Sequence, residues 1–169
     1  MKKLRIWTAC ILLVYLLLLV WMILFKGTVP HGGMFLRRSV NLVPFYVDPD
    51  APYLRPMAHR DWIGNVLAFV PFGILADLLS KGRSPWKPVL AGFGVSLFLE
   101  TAQYLTGLGA TDVTDLITNT AGTLAGILVY RLLMKLFGEK HSVLIVNVCG
   151  SLLPAGFLLL CLLLYYSNR

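Results

Sequence analysis

The chain has 169 residues, 57 % of them hydrophobic and 14 % charged, whereas about one quarter of a soluble domain is charged. This composition excludes an ordinary soluble globular domain and places the chain in a membrane. Fifteen Lys and Arg against eight Asp and Glu give a net charge of +7, a sign that basic flanks around apolar spans explain without nucleic acid, so no nucleic-acid partner is expected. Five spans of about 20 residues would use most of the length. The expected architecture is therefore an all-α integral membrane protein. Residues 1–169 form a single membrane domain, a small bundle of five transmembrane helices with a long Pro-rich external loop that is partly interfacial.

The first span is residues 6–25, twenty apolar residues behind Lys2, Lys3 and Arg5. The run is longer than a signal-peptide core and lacks a small-x-small cleavage site, so it reads as a retained helix. Residues 26–61 follow as an external loop, in which Pro30, Pro44, Pro49, Pro52 and Pro56 oppose regular helix. Within it, Met34-Phe35-Leu36 and Leu42-Val43-Pro44-Phe45-Tyr46 are too apolar for water and too short to span, so an interfacial or re-entrant path is expected. Arg55 and Arg60 are close enough to the second span to answer acids there or to hold a lipid phosphate. Arg37-Arg38 reads as a solvated or headgroup-facing pair, and His31 and His59 as loop histidines without chemistry.

The second span is 62–79, where Pro71 should kink or locally unwind the helix. The third is 88–105, the fourth 116–137 and the fifth, a flanking helix, 143–166. With the N-terminus inside, the cytoplasmic segments hold nine of the 15 Lys and Arg residues, which favours a cytoplasmic N-terminus and an external C-terminus. Cys10, Cys149 and Cys161 lie in apolar segments without a CxxC or Cys/His pattern, and are expected to be small buried hydrophobes.

Polar residues inside the spans carry the functional signal. Glu100 sits roughly 18 Å along the third helix from Pro88, in the outer half of the hydrocarbon. An acid there faces protein, pairs or stays protonated, and marks a functional site by default. Gly92, Ser96, Glu100 and Gln103 share one helical stripe, as do Asp112, Asp115, Asn119, Gly122 and Gly126 on the fourth span. Asn65 stands at a similar depth on the second. Interhelical hydrogen bonds and an N-cap at Asp112 or Asp115 are the structural alternative for these groups. That alternative is weakest for Glu100, since Gln would bridge helices at lower desolvation cost. Gly122-x-x-x-Gly126 should let another helix approach closely.

Four motifs then occur in a telling order: Asn41-Leu42-Val43-Pro44-Phe45; Gly64-Asn65-Val66-Leu67-Ala68-Phe69-Val70-Pro71-Phe72-Gly73; Glu100-x-x-Gln103; and Asp112-x-x-Asp115-x-x-x-Asn119-x-x-Gly122-x-x-x-Gly126. In order and spacing they resemble the VanZ-like family over a core of about residues 41–135. The resemblance implies a small bacterial plasma (inner) membrane protein, in a family whose name-giving member is associated with low-level teicoplanin resistance. It puts the polar family positions on Asn41, Asn65, Glu100, Gln103, Asp112, Asp115 and Asn119. Many relatives carry an Arg just before the acidic motif, where this chain reads Thr106-Gly107-Leu108-Gly109-Ala110, so an anion-binding role would pass to Arg55 or Arg60.

Two functional readings follow. In the first, an acidic, amide-lined pocket at the outer leaflet binds a membrane lipid or a lipid-linked cell-wall precursor, without catalysis or cofactor. In the second, an integral membrane enzyme acts on a lipid phosphate or lipid-linked glycan. Glu100 would then be its general acid or base, and Asp112 with Asp115 would hold a divalent cation. No Ser, Cys or His nucleophile accompanies these acids. A small transporter acting as an oligomer is a third reading.

Overall fold

The computed structural model describes residues 2–24, 39–50, 52–107 and 110–167. Met34-Phe35-Leu36, Arg37-Arg38, His31 and the Leu108-Gly109 step lie outside the described residues, as does the side chain of Cys161. Helix α1 is Lys2–Leu24, strand β1 Ser39–Asn41, α2 Arg55–Ser80, α3 Trp86–Thr106, β2 Ala110–Asp112 and α4 Val113–Ser167, with a 3-10 turn at Pro52–Leu54 before α2. Three stretches, Lys2–Leu24, Arg55–Ser80 and Val113–Leu152, are long and apolar enough to cross a membrane.

Each boundary has a local cause. A proline sits in the first turn of α2, and the helix ends where Lys81 turns left-handed (φ 64°) with its N–H returned to the last turn. Gly107 (φ 67°) closes α3. Asp112 starts α4 as its N-cap, Oδ1 accepting the Thr114 N–H at 2.7 Å.

Three expectations need correction. The fold is helical but not purely so: β1 and β2 pair in parallel, with Ser39 opposite Ala110 and Asn41 opposite Asp112. Of the kink or local unwinding expected at Pro71, the unwinding is absent, since α2 stays helical from Arg55 to Ser80. Close packing against α4 and a hydrogen bond from the Tyr15 hydroxyl to the Ala68 carbonyl hold the turn before the proline. Cys10 and Cys149 are exposed on the helix surface, not buried. In a membrane chain an apolar surface faces lipid, and a thiol is apolar enough to share it.

The stretch expected to turn across residues 138–142 narrows to one residue. Within α4 only Gly138 leaves helical geometry among the described residues, at φ 71° and ψ 169°, a conformation open to glycine because it has no Cβ. The limb before it descends along α2. The limb after it passes α1, with Glu139 bonded to Arg5 (2.8 Å) and Asn147 accepting from the Thr8 hydroxyl (2.7 Å).

Helices α2 and α4 touch backbone to backbone. A Cβ added at Gly122 or Gly126 would strike the Val66 or Val70 carbonyl, and one at Gly73 the Thr123 backbone. Gly92 of α3 meets the Thr123 side chain in the same way. The expected close approach at Gly122-x-x-x-Gly126 is thus present, and it brings Phe69, Phe72, Leu75, Leu99 and Tyr130 into one buried core.

Near the end opposite the start of α4, Arg131 grips Asp77 with Nε to Oδ2 at 3.0 Å and Nη2 to Oδ1 at 3.3 Å. Asp77 is fully buried while the Arg131 side chain is 36 % exposed, so the two partners are not equivalent. Arg131→Met strands a buried carboxylate and should cost roughly 3 kcal/mol. Asp77→Leu leaves a guanidinium that reaches solvent or headgroups, and should cost less. Thermal melts of both single variants and the double variant in detergent check the asymmetry and the coupling.

Candidate functional site

At the end of the bundle where α2 and α4 begin and α3 finishes, the helices leave a cavity of about 480 Å³. Asn65 enters from α2, Gln103 from the last turns of α3, Asp112 from β2 and Asp115 from the first turn of α4. Met22 and Ile23 of α1 and Tyr46 of the segment between β1 and α2 add to the wall, and Arg60 and Asp61 lie at its α2 side. The volume is within the range of small-molecule sites.

The polar groups are tied to one another across elements. Asn65 Nδ2 donates to Asp115 Oδ1 at 2.8 Å. Glu100 is 3 % exposed, and its Oε2 accepts the Asp112 backbone N–H at 2.9 Å. The Thr111 hydroxyl donates to the Glu100 carbonyl at 3.1 Å. One turn deeper, Asn119 Nδ2 donates to Ser96 Oγ at 3.0 Å, joining α4 to α3. Gln103 Nε2 donates to the Ile23 carbonyl at 3.3 Å. Gln103 Oε1 and Asn119 Oδ1 are buried with no hydrogen-bond partner among the described residues.

The apolar segment after β1 is clasped onto the start of α4. Asn41 Oδ1 accepts the Val43 N–H at 3.1 Å while its Nδ2 donates to Asp112 Oδ2 at 3.0 Å. The Phe45 N–H donates to Thr114 Oγ1 at 2.9 Å, and the Phe45 ring stands edge-on to Trp62 with centroids 5.1 Å apart. Leu42 and Val43 remain exposed. Asp112 therefore uses one oxygen to cap α4 and the other to hold the strap.

Of the residues singled out by sequence, Asn65, Gln103, Asp112, Asp115 and Arg60 line the cavity. Asn41, Glu100 and Asn119 are not part of the lining, and each bonds to a residue on a neighbouring element. Arg55 is exposed at the first turn of α2, away from the lining. Thr111 and Thr114 also hold the site together, and no local sequence pattern marks them, because their partners Glu100 and Phe45 lie 11 and 69 residues away. Among the described residues no group of three His, Cys, Asp or Glu is placed to hold a metal ion.

A sequence model of the family described as VanZ/LLP1 matches residues 12–135, from within α1 to the middle of α4. The chain belongs to the VanZ/LLP1 family. It is also similar to protein VanZ of Enterococcus faecium, at 33 % identity over 161 residues that cover 94 % of this chain and 91 % of that protein. No solved structure matches it. The VanZ/LLP1 match takes in every group that lines the cavity, together with the strap and the α2–α4 glycine contact.

Proposed function

We propose that this VanZ/LLP1 protein is a multi-pass protein of the bacterial plasma membrane whose outer-leaflet cavity binds a membrane lipid or a lipid-linked cell-wall precursor. In this reading it contributes to resistance against teicoplanin-type glycopeptides by changing how such lipophilic drugs reach their target. The observation that carries it is the convergence of Asn65, Gln103, Asp112 and Asp115 on one cavity. Gln103 is buried and the other three partly so, and polar or ionisable groups inside a membrane bundle that helix packing alone does not require mark a ligand site.

The topology has five crossings, with the N-terminus cytoplasmic and the C-terminus external. Val113–Ser167 is 55 residues, which as one straight helix would be about 80 Å long, far more than one hydrocarbon core. Two crossings hinged at Gly138 accommodate it. Single cysteines at Ser84 and Ala110 in intact cells test the orientation: Ser84→Cys should resist a membrane-impermeant maleimide and Ala110→Cys should react. The reverse pattern would put the cavity in the cytosol and end the cell-wall reading. The direct test of ligand binding is lipid analysis of the purified full chain, and Asn65→Leu should lose what the parent retains.

A further inference from the structure

Gly64 sits in the interior of α2 with nothing within 4 Å of where a Cβ would stand. A helix-interior glycine is less favourable than alanine, and here neither a close helix contact nor a positive φ accounts for it. Its position supplies a reason. Gly64 borders the polar cavity on one side, and on the other an apolar groove of about 400 Å³ between α1 and α2. Met22 and Ala68 are common to both. The groove continues past Tyr15 and Pro71 into a second apolar hollow of about 350 Å³ reaching Ile11 and Leu75. From Gly64 to Leu75 the path follows about 16 Å of helix.

We propose that cavity and groove are one site, taking an amphiphile whose ammonium-bearing head rests against Gln103 and Asp112 and whose chain passes Gly64 to lie between α1 and α2. The inference rests on the lipid-binding reading above and narrows its ligand. Two observations fix the head. Gln103, 3 % exposed, lines the cavity and keeps Oε1 without a hydrogen-bond partner among the described residues. The carboxylates of Asp61 and Asp112 border the same space, so the wall presents acceptors and selects a head that donates hydrogen bonds. Arg60 at the α2 side is placed for a phosphate next to that ammonium. A primary amine on a phospholipid meets this pattern. A quaternary amine of the same net charge has no N–H to give.

The test uses the full chain in phosphatidylcholine nanodiscs doped either with phosphatidylethanolamine of matched chains or with a polyprenyl diphosphate, and native mass spectrometry to count retained lipids. The parent should keep one phosphatidylethanolamine. Gly64→Leu and Leu67→Trp, which fill the junction and the groove from an exposed helix face, should reduce retention about tenfold or more. Gly94→Leu is the matched control, because Gly94 is equally open on α3 and borders none of these spaces. Gln103→Leu should remove the preference over phosphatidylcholine. Undiminished retention in both junction variants would overturn the single-site inference while leaving the cavity standing. Equal retention of phosphatidylcholine would overturn the donor-bearing head. Retention of the diphosphate alone would overturn this inference and leave the broader lipid reading intact, whereas no retained lipid of any kind would defeat both.

Discussion

Gly126→Leu should abolish stable accumulation of the protein, and Gly126→Ala should already lower its melting temperature in detergent. A Cβ at this position would overlap the Val70 carbonyl, and would also press on the Ile74 N and the Gly73 Cα. These are backbone atoms of α2, which no rotamer change can clear. The helices must move apart, and with them the Phe69 and Tyr130 packing at the centre of the core. Overpacking of this kind costs about 1–3 kcal/mol even where side chains can yield, so a rigid backbone contact puts leucine at or beyond the upper end. Gly64→Ala and Gly94→Ala provide the contrast, since nothing within 4 Å opposes their Cβ. They should be neutral or stabilise by about 0.5–1 kcal/mol through helix propensity alone. If Gly126→Ala melts with the parent, the close α2–α4 approach is not what holds the bundle together.

Helices and their buried stripes were legible because periodicity reports which residues share a face. Gly92, Ser96, Glu100 and Gln103 recur at helical spacing on α3, and all four are buried. The same spacing anticipated that Asn65 and Asp115 would stand at one depth, where they now bond. The β1–β2 pairing was not legible. It joins three-residue strands some 70 positions apart in parallel, and no local pattern distinguishes such short strands from loop. Asp77 carries no local signal, for a different reason. Its partner Arg131 is 54 residues away and looked like one more cytoplasmic charge, so neither residue advertised a pair. The turn at Gly138 is shorter than the span boundaries at 137 and 143 imply, because a lone glycine among basic and polar residues reads as a loop several residues long. A single left-handed residue sufficed, helped by the Ser142 hydroxyl donating to the Gly138 carbonyl at 2.7 Å.

Glu100→Gln should leave expression and thermal stability unchanged or improved and abolish the resistance phenotype proposed above. Glu100 Oε2 accepts the Asp112 N–H at 2.9 Å, the contact that ties α3 to the start of α4. The amide oxygen of Gln has nearly the same reach and accepts the same N–H, so the strap, the N-cap and the β1–β2 pairing are retained. What the substitution removes is a carboxylate whose burial costs several kcal/mol or forces protonation. A group that only held Asp112 in place would do so with less desolvation as an amide. On the ligand-binding reading proposed above, the acid would act through Asp112 and the neighbouring cavity, as a positioning residue outside the cavity wall. Two measurements on the same variant decide it, drug susceptibility in a sensitive host and the melting temperature of the purified chain. Full protection by Glu100→Gln would reduce Glu100 to a protonated hydrogen-bonding strut. A variant that fails to accumulate would instead identify an obligatory ion pair, to be located by charge swaps that begin with Arg60 at the cavity and Arg55 at the start of α2.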